Sequence, residues 1–408
     1  MSTGEVRACS RASRTFSRPH HQFRPLVGES HDEPLRILYC GSDHFSCAIL
    51  QALHEEYQRP SSNIASIDVV CREGKPYGRG LRSIRHPQIK QVASSLGLPL
   101  HQIKTFTGWE PPEYPNTAPS KINLVVAVSF GLLIPPRVLN GARFSGINLH
   151  PSMLPEYKGP APLHWTILNG EKKTGMSLQT LHPVSFDEGV ILDQTSWPGI
   201  DVPEDCDYSV LLKILQSLGA DMLLNAIKNR LYLPPYIDAG WAKNAADGKK
   251  AHKHAPKIET AHKLLCFETM DSLRIARMSR AFESTWAFAA VPTRTSELKR
   301  LRIIFPKPFK ILSPSSVYMD GMTDISGIPP GLPYWPDSAT NEAKGPTEQP
   351  LLVNTIDGKT ISISSIKVEG SVEMPAYQAA QKHRLIRQPR HVNPKGMITF
   401  HECLMAQP

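Results

Sequence analysis

The sequence predicts an α/β first domain with a mainly parallel sheet, followed by a smaller β-rich second domain. Between residues 35 and 149, short apolar runs alternate with segments of helical apolar spacing, which is typical of a sheet with helices on both faces. Residues 204–231 have helical apolar spacing and are expected to close the first domain. Residues 232–255 are rich in Pro, Gly, Ala and Lys, which indicates a linker.

The elements of the first domain, residues 35–231, follow from its apolar pattern. We predict strand 35–40, a helix containing Ile49, Leu50 and Leu53, strand Ile67–Val70, helix 88–96, strand Ile122–Val128, helix Pro135–Leu139 and strand Gly146–Leu149. The turn after the first strand, GSDH, departs from G-x-G-x-x-G, so a dinucleotide site is not supported. In such sheets, ligands bind in the loops beyond the carboxyl ends of the strands.

The second domain is expected to span residues 256–388. Its predicted elements are a helix at Ser272–Phe282 and strands at Leu301–Ile304, Leu351–Thr355 and Thr360–Ile363, with Asp357-Gly358-Lys359 as a hairpin turn. Residues 313–350 are dense in Pro, Gly, Ser and Asp, which predicts a long and partly disordered insertion. The tail at 389–408 matches no pattern that we can interpret.

Composition excludes several classes of protein. The 408 residues are 40% apolar and 20% charged, and no run approaches the apolar length that spans a bilayer. The seven cysteines are scattered and include no C-x-x-C pair, so neither a disulfide framework nor a thiolate metal site is expected. A reducing compartment fits this pattern.

Charge is distributed unevenly along the chain, whose net charge is +9. Residues 240–310 carry 15 basic side chains against 6 acidic ones, which indicates either a polyanionic partner or a solvated basic surface. Residues 1–28 contain five arginines, several serines, no lysine and one acidic residue. This composition predicts an organellar transit peptide over residues 1–30, with a disordered basic tail as the alternative.

The strongest functional signal is the segment GINLHPSMLPEYKGPAPL, which begins at Gly146. Asn148 and His150 are two residues apart in a predicted strand, so their side chains project from the same face. Asp187 follows in SFDEG. An amide donor, an imidazole and a carboxylate suit acyl transfer, since the donor stabilises an oxyanion and the ring moves protons. Taken singly, each residue also fits a structural role, as a turn residue, a surface ring or a turn cap.

These motifs, in this order, resemble the methionyl-tRNA formyltransferase family. The segment from Gly146 is similar to that family's Asn-x-His and Ser-x-Leu-Pro elements, and SFDEG to its Asp-x-Gly element. Further matches are GKPYGRG (Gly74–Gly80), AVSFGLLIP (Ala127–Pro135), HAPKI (His254–Ile258) and RAFESTW (Arg280–Trp286). The Asn-His-Asp set is shared by all transferases that use 10-formyltetrahydrofolate, and the second-domain matches narrow the resemblance to the tRNA enzyme.

The resemblance implies a Rossmann-like catalytic domain and a small OB-like β-barrel. It also implies transfer of a formyl group from 10-formyltetrahydrofolate to the α-amino group of methionine on initiator tRNA, without a metal. Asn148, His150 and Asp187 would be the catalytic residues. Asp187 would hold the imidazole in the required tautomer or bind a catalytic water. We expect a monomer without a membrane partner, in the mitochondrial matrix, with a plastid as the alternative.

The resemblance also implies two binding regions. The folate would lie along Ser129, Phe130, Gly131, Leu132 and Leu133, whose backbone would pair with the pterin, and the pocket would be closed by Val184 and Phe186. Leu132 and Leu133 fit a core strand equally well. The tRNA would be contacted by a basic loop at Gly74–Leu81 with Lys75, Arg79 and Arg82, where Arg79 matches the family's key arginine. A surface loop with incidental charge is the alternative.

The chain departs from the family pattern at Glu156 and Lys158, where bacterial relatives commonly carry two arginines, and at Pro183, where an aspartate is frequent. These departures put tRNA contacts in that region in doubt. Three other functions remain open at this stage. They are a formyltransferase acting on an amino sugar nucleotide, a formyltetrahydrofolate hydrolase, and a tRNA-binding protein without catalysis.

Overall fold

A computed structural model describes residues 33–244, 252–292, 298–306, 309–312, 328–334, 350–383 and 385. The predicted transit peptide at 1–30, the tail at 389–408 and most of the insertion at 313–350 lie outside these residues. The described residues from Pro34 onward belong to one compact unit. The domain boundaries at 231 and 256 stay predictions.

The elements up to residue 228 follow the predicted alternation. The strands are β1 (Leu35–Gly41), β2 (Ile64–Arg72), β3 (Lys75–Tyr77), β4 (Ser83–Arg85), β5 (Leu100–Ile103), β6 (Leu124–Val128), β7 (Gly146–His150), β8 (Lys173–Thr174), β9 (Ser177–Thr180), β10 (Ile191–Gln194) and β11 (Ile200–Asp201). The helices are α1 (His44–Tyr57), α2 (Gln88–Ser95), α3 (Pro136–Gly141), α4 (Pro162–Leu168) and α5 (Tyr208–Lys228). Each strand and helix predicted for this domain is therefore present, with shifted ends.

The central sheet has seven strands in the order β10-β9-β7-β6-β1-β2-β5. The five strands from β7 to β5 are parallel, whereas β9 and β10 are antiparallel to their neighbours. The predicted α/β class with a mainly parallel sheet is confirmed. The register pairs Val128 with Leu149, so β6 and β7 end side by side at one edge.

Helix α5 closes the first domain against the central core. Leu211, Leu215 and Leu223 on this helix are buried, and α5 packs against α1. By length and composition alone, α5 is apolar enough to cross a membrane. Its buried face nevertheless places it as a core helix of this fold.

The second half of the chain is mainly antiparallel. It contains α6 (Ser272–Ala281), β12 (Thr285–Pro292), β13 (Leu298–Phe305), β14 (Lys310–Leu312), β15 (Pro333–Tyr334), β16 (Leu351–Asn354), β17 (Thr360–Ile363), β18 (Ser365–Val368), β19 (Met374–Pro375) and α7 (Ala376–Lys382). Two four-stranded sheets, β12-β13-β18-β19 and β14-β17-β16-β15, are compatible with the predicted small barrel. The predicted hairpin turn joins β16 to β17.

The structure contains elements that the sequence-based assignment lacks, and two of these differences bear on the site. The loop expected at Gly74–Leu81 belongs to a β-hairpin over residues 75–85, in which Lys75 pairs with Arg85 and Tyr77 with Ser83. Strands β9 (SLQT) and β10 (ILDQ) are not predicted from the sequence, because both mix polar with apolar residues and lack the continuous apolar run that marks the other strands. These two strands extend the sheet beyond β7, and the loop between them carries Asp187.

The cysteines behave as buried hydrophobic residues. All five that the structure describes are free and buried. Burial raises the pKa of the Cys71 thiol to about 11 and that of the Cys47 thiol to about 12. These thiols therefore stay protonated near neutral pH.

Candidate active site

Asn148 and His150 lie at the carboxyl end of β7, as the motif predicts. In the antiparallel register with β9, Asn148 faces Gln179 and His150 faces Ser177. The His150 side chain is only 8% exposed, so its interpretation as a surface ring is wrong. The strand-end position places both side chains at the edge where ligands bind in sheets of this type.

Asp187 is brought to the same place by the loop between β9 and β10. Its φ of 55° lies in the left-handed region, which aspartate tolerates better than most residues. Its Oδ1 atom lies 3.5 Å from Asn148 Nδ2, 3.3 Å from Gln179 Nε2 and 3.5 Å from His150 Nδ1. The backbone N–H of Gly159 donates to Oδ2 over 2.9 Å. The structure thus brings the three predicted catalytic side chains together.

The contacts of His150 indicate its tautomer. Nε2 lies 3.0 Å from the carbonyl oxygen of Tyr157. A carbonyl oxygen only accepts hydrogen bonds, so Nε2 carries the proton when the ring is neutral. Nδ1 is then the atom with a free lone pair, and it faces Asp187. The Tyr157 carbonyl, rather than Asp187, is therefore the group that selects the tautomer.

The segment that follows β7 is fixed by hydrogen bonds to β9 and β10. The Ser177 hydroxyl donates to the carbonyl of Ser152 over 2.7 Å and accepts from the N–H of Leu154 over 3.0 Å. The Gln194 amide donates to the Leu154 carbonyl over 2.9 Å and to the Ser177 hydroxyl over 2.7 Å. The backbone beside His150 is therefore held by polar contacts rather than left free.

Glu156 and Lys158, which depart from the family pattern, take part in this arrangement. The Glu156 carboxylate lies 3.1 Å from His252 Nδ1 and accepts from the backbone N–H of Lys253 over 3.0 Å. The Lys158 ammonium lies 2.7 Å from the carboxylate of Glu188, which is next to Asp187 in the chain. Both side chains are engaged with other parts of this protein.

The residues expected to hold folate divide into two groups. The first group follows β6. Ser129 directly follows the last residue of β6, at the place where β6 ends beside β7, and its φ is 49°. The side chain of Phe130 is buried. Leu132 and Leu133 line a cavity of about 270 Å³ together with Phe106, Arg137 and neighbouring residues.

The second group, Val184 and Phe186, lies on the loop that carries Asp187, and these side chains are 71% and 58% exposed. The ring of His182 organises this loop, because its Nδ1 accepts from the backbone N–H groups of Val184 and Ser185 over 3.3 and 3.0 Å. Large apolar side chains exposed beside a buried polar cluster are available to cover a flat ligand.

The predicted tRNA loop, Gly74–Leu81, covers strand β3 and most of the turn of the β3–β4 hairpin. Lys75 is exposed at the open end of the hairpin, and Arg82 is exposed in its turn. The Arg85 guanidinium lies 4.8 Å from the centre of the Tyr77 ring, which pairs a cation with an aromatic side chain across the hairpin. The Arg79 side chain lies outside what the structure describes.

Sequence reasoning missed three groups that shape the site: the Gln179 amide, the Tyr157 carbonyl and the Gly159 N–H. Gln179 is almost fully buried, and its Oε1 also accepts from the N–H of Gly189 over 3.1 Å. Gln179 lies opposite Asn148 in β9, but no pattern identified β9 as a strand. The contacts of the Tyr157 carbonyl and the Gly159 N–H involve backbone atoms, so the identity of the residues does not reveal them. Within the described ranges, no group of three or more His, Cys, Asp or Glu side chains is arranged to hold a metal.

Comparison with known proteins identifies formyltransferases as relatives of this chain. A sequence model described as formyl transferase matches residues 35–226. The mitochondrial methionyl-tRNA formyltransferase of Saccharomyces cerevisiae is 32% identical over 308 residues, which cover 66% of this chain and 74% of the yeast protein. The bovine mitochondrial enzyme is 31% identical over 248 residues, covering 61% of this chain and 57% of that protein.

A solved structure of a sugar N-formyltransferase is also similar. WlaRD, a sugar 3N-formyl transferase solved in the presence of dTDP and 5-N-formyl-THF, superposes with a TM-score of 0.46 at 16% identity, covering 83% of this chain and 99% of that one.

Proposed function

The chain belongs to the methionyl-tRNA formyltransferase family, and on that basis we propose that it transfers the formyl group of 10-formyltetrahydrofolate to the α-amino group of methionine on initiator tRNA. Formyl transfer is the chemistry of the family. The observation that carries the proposal is the convergence of Asn148, His150 and Asp187 at the carboxyl end of β7.

Attack of the amine on the formyl carbon forms a C–N bond and places negative charge on the formyl oxygen. Donors aimed at such an oxyanion stabilise the transition state strongly. The Nδ2 group of Asn148 carries two N–H donors, of which the contact with Asp187 uses at most one. The other is available to the oxyanion.

The attacking amine must lose a proton, and the leaving N10 must gain one before its bond to the formyl carbon breaks. We infer that Nδ1 of His150 accepts the amine's proton, directly or through a water, because Nε2 is engaged by the Tyr157 carbonyl. The imidazolium formed then lies beside Asp187, whose carboxylate stabilises the positive charge. His150 can next return the proton to N10, so the ring ends neutral.

For the formyl donor, we propose that the folate lies along Ser129 to Leu133, with Val184 and Phe186 covering it. The support is the position of Ser129 beside the end of β7 and the exposure of the two apolar side chains. The cavity of about 270 Å³ at Leu132 and Leu133 offers space beside this stretch.

For the acceptor, we propose that the β3–β4 hairpin contacts tRNA phosphates through Lys75, Arg79 and Arg82, and that the protein acts as a monomer. Exposed cations on a two-stranded hairpin are suited to an RNA backbone. We also propose the mitochondrial matrix as its location, because the yeast and bovine relatives are mitochondrial enzymes.

The test is transfer of labelled formyl from 10-formyltetrahydrofolate to methionine-charged initiator tRNA, with uncharged tRNA, free methionine and an amino sugar nucleotide as parallel acceptors. We expect product only on the charged tRNA. With His150→Ala, turnover should fall by about 10²- to 10⁴-fold while tRNA binding persists. Transfer to the sugar alone, or hydrolysis of the folate alone, would overturn the proposed substrate.

A further inference from the structure

Two backbone groups of one short segment hold the two titratable catalytic side chains. The carbonyl of Tyr157 contacts His150 Nε2 at 3.0 Å, and the N–H of Gly159 donates to Asp187 Oδ2 over 2.9 Å. We call residues 156–159 the site segment. The orientation of both catalytic groups depends on where the backbone of this segment lies.

The site segment is held in turn by residues 252–255, which we call the linker strand and which fall within the predicted linker. The N–H of Tyr157 donates to the carbonyl of Lys253 over 2.6 Å, and the N–H of Ala255 donates to the carbonyl of Lys158 over 2.8 Å. A Cβ atom on Gly159 would lie 2.6 Å from the Ala255 carbonyl oxygen, so only glycine permits this approach. The end of the predicted linker is therefore packed against the site segment and hydrogen-bonded to it.

The Glu156 side chain ties the two segments together, beside a second link in which Tyr157 and Lys253 both contact the Glu171 carboxylate. Both carboxylate oxygens of Glu156 are used: Oε1 lies 3.1 Å from His252 Nδ1, and Oε2 accepts from Lys253 N over 3.0 Å. Glu156 and His252 are 96 residues apart in sequence. Hydrogen bonds to a charged carboxylate are about twice as strong as neutral ones, so we expect Glu156 to contribute strongly to the attachment of the linker strand.

We propose that Glu156 is a positioning residue for catalysis. By holding the linker strand against the site segment, it keeps the Tyr157 carbonyl on His150 and the Gly159 N–H on Asp187. The linker strand leads into the second half of the chain, so its placement joins that half to the catalytic geometry. The expected effect of Glu156 on the rate of formyl transfer rests on the proposed function. Its expected effect on the tautomer of the His150 ring does not.

The kinetic test compares Glu156→Ala and Glu156→Gln with the wild-type protein in formyl transfer to charged initiator tRNA. We expect Glu156→Ala to lower kcat by about tenfold, with KM for both substrates within about twofold, because misplacement costs rate rather than binding. Glu156→Gln should recover most of the rate, since its amide oxygen still accepts from Lys253 N. The control is Glu113→Ala, which removes an exposed carboxylate 2.9 Å from Lys121.

The linker side is tested by a double-mutant cycle. His252→Ala should lower kcat less than Glu156→Ala, because the contact between Lys253 N and Glu156 survives. Combining the two substitutions should add little to the effect of Glu156→Ala alone. The positioning role would be overturned if the effects of Glu156→Ala and His252→Ala on kcat were additive. It would also be overturned if Glu156→Ala lowered Tm without changing kcat, or raised the KM for tRNA with a normal kcat.

A measurement that needs no activity separates this inference from the proposed function. In protein labelled with ¹⁵N-histidine, the neutral His150 ring, assigned by its loss in His150→Gln, should report the tautomer protonated at Nε2. Glu156→Ala should shift it toward a mixture of tautomers, and Glu156→Gln should not. An unchanged tautomer in Glu156→Ala would overturn the inference, even if the wild-type protein transfers formyl as proposed.

Discussion

Nδ1 of His150 lies 3.5 Å from Oδ1 of Asp187, and both side chains are more than nine-tenths buried. At this distance a neutral ring and a carboxylate share no strong hydrogen bond, whereas an imidazolium would be attracted strongly in such a buried site. The geometry of the pair therefore suits the role that we propose for Asp187, which is to stabilise the charge that develops when His150 takes a proton.

Replacing Asp187 tests this arrangement. Asp187→Asn keeps the shape of the side chain but removes the negative charge beside the imidazolium. We expect kcat to fall by about 10²- to 10⁴-fold, as for loss of general acid-base assistance, with little change in tRNA binding. Single-turnover transfer and a filter-binding titration measure the two quantities. A rate close to that of the wild-type protein would show that Asp187 acts only in holding the loop.

Asn148 is predicted to act as an oxyanion donor. Asn148→Ala removes both N–H groups, and we expect kcat to fall by about 10²- to 10³-fold. Asn148→Asp should be at least as damaging, because it places a second carboxylate beside Asp187 and repels the oxyanion. The control is Asn229→Ala, at the exposed end of α5. If Asn148→Asp retained more activity than Asn148→Ala, the side chain would not be donating in the transition state.

The β3–β4 hairpin is predicted to contribute charge to tRNA binding. In Lys75→Ala with Arg82→Ala, the affinity for tRNA should fall at low salt, and the slope of log affinity against log salt should decrease by about 2. Binding measured between low and moderate salt gives this slope. Lys104→Ala is a matched control, since Lys104 is an exposed cation paired with Glu73. An unchanged slope would place the RNA contact elsewhere.

His164 is predicted to make stability depend on pH. Its ring lies 4.4 Å from that of Tyr208 and 5.8 Å from that of Phe282, and burial, with a smaller effect of Lys263, lowers its pKa to about 4. In the unfolded chain, the His164 ring has a pKa near 6.5. Between about pH 6.5 and pH 4 the unfolded chain therefore binds a proton at His164, whereas the folded protein does not. The free energy of unfolding should therefore fall as pH drops from about 6.5 to about 4, by at most about 1.4 kcal/mol per pH unit.

His164→Phe keeps an aromatic ring in this stack but cannot be protonated. Urea unfolding at several pH values should show a shallower loss of stability for this variant than for the wild-type protein. His54→Phe, which replaces a histidine near the end of α1, serves as the control. Equal slopes in His164→Phe and the wild-type protein would show that His164 does not contribute to the pH dependence.

Local sequence patterns were sufficient to predict the class of fold and the first half of the site. Strands β1 and β6 are recognisable as continuous apolar runs, since both are buried along their whole length, and α5 is recognisable from its helical apolar spacing. The two-residue spacing of Asn148 and His150 on β7 sets their common direction by local backbone geometry alone. Asp187 was predicted from the family motif rather than from spacing.

How these groups act depends on contacts that form only in the folded chain. The Tyr157 carbonyl on His150 and the Gly159 N–H on Asp187 are backbone contacts, which residue types do not reveal. The tie from Glu156 to the linker strand joins residues almost a hundred positions apart, so it exists only once both segments are packed against each other. Apolar periodicity and secondary-structure propensity reflect interactions between residues close together in the sequence. The tautomer and orientation of a ring such as His150 depend instead on groups distant in the sequence that folding brings together.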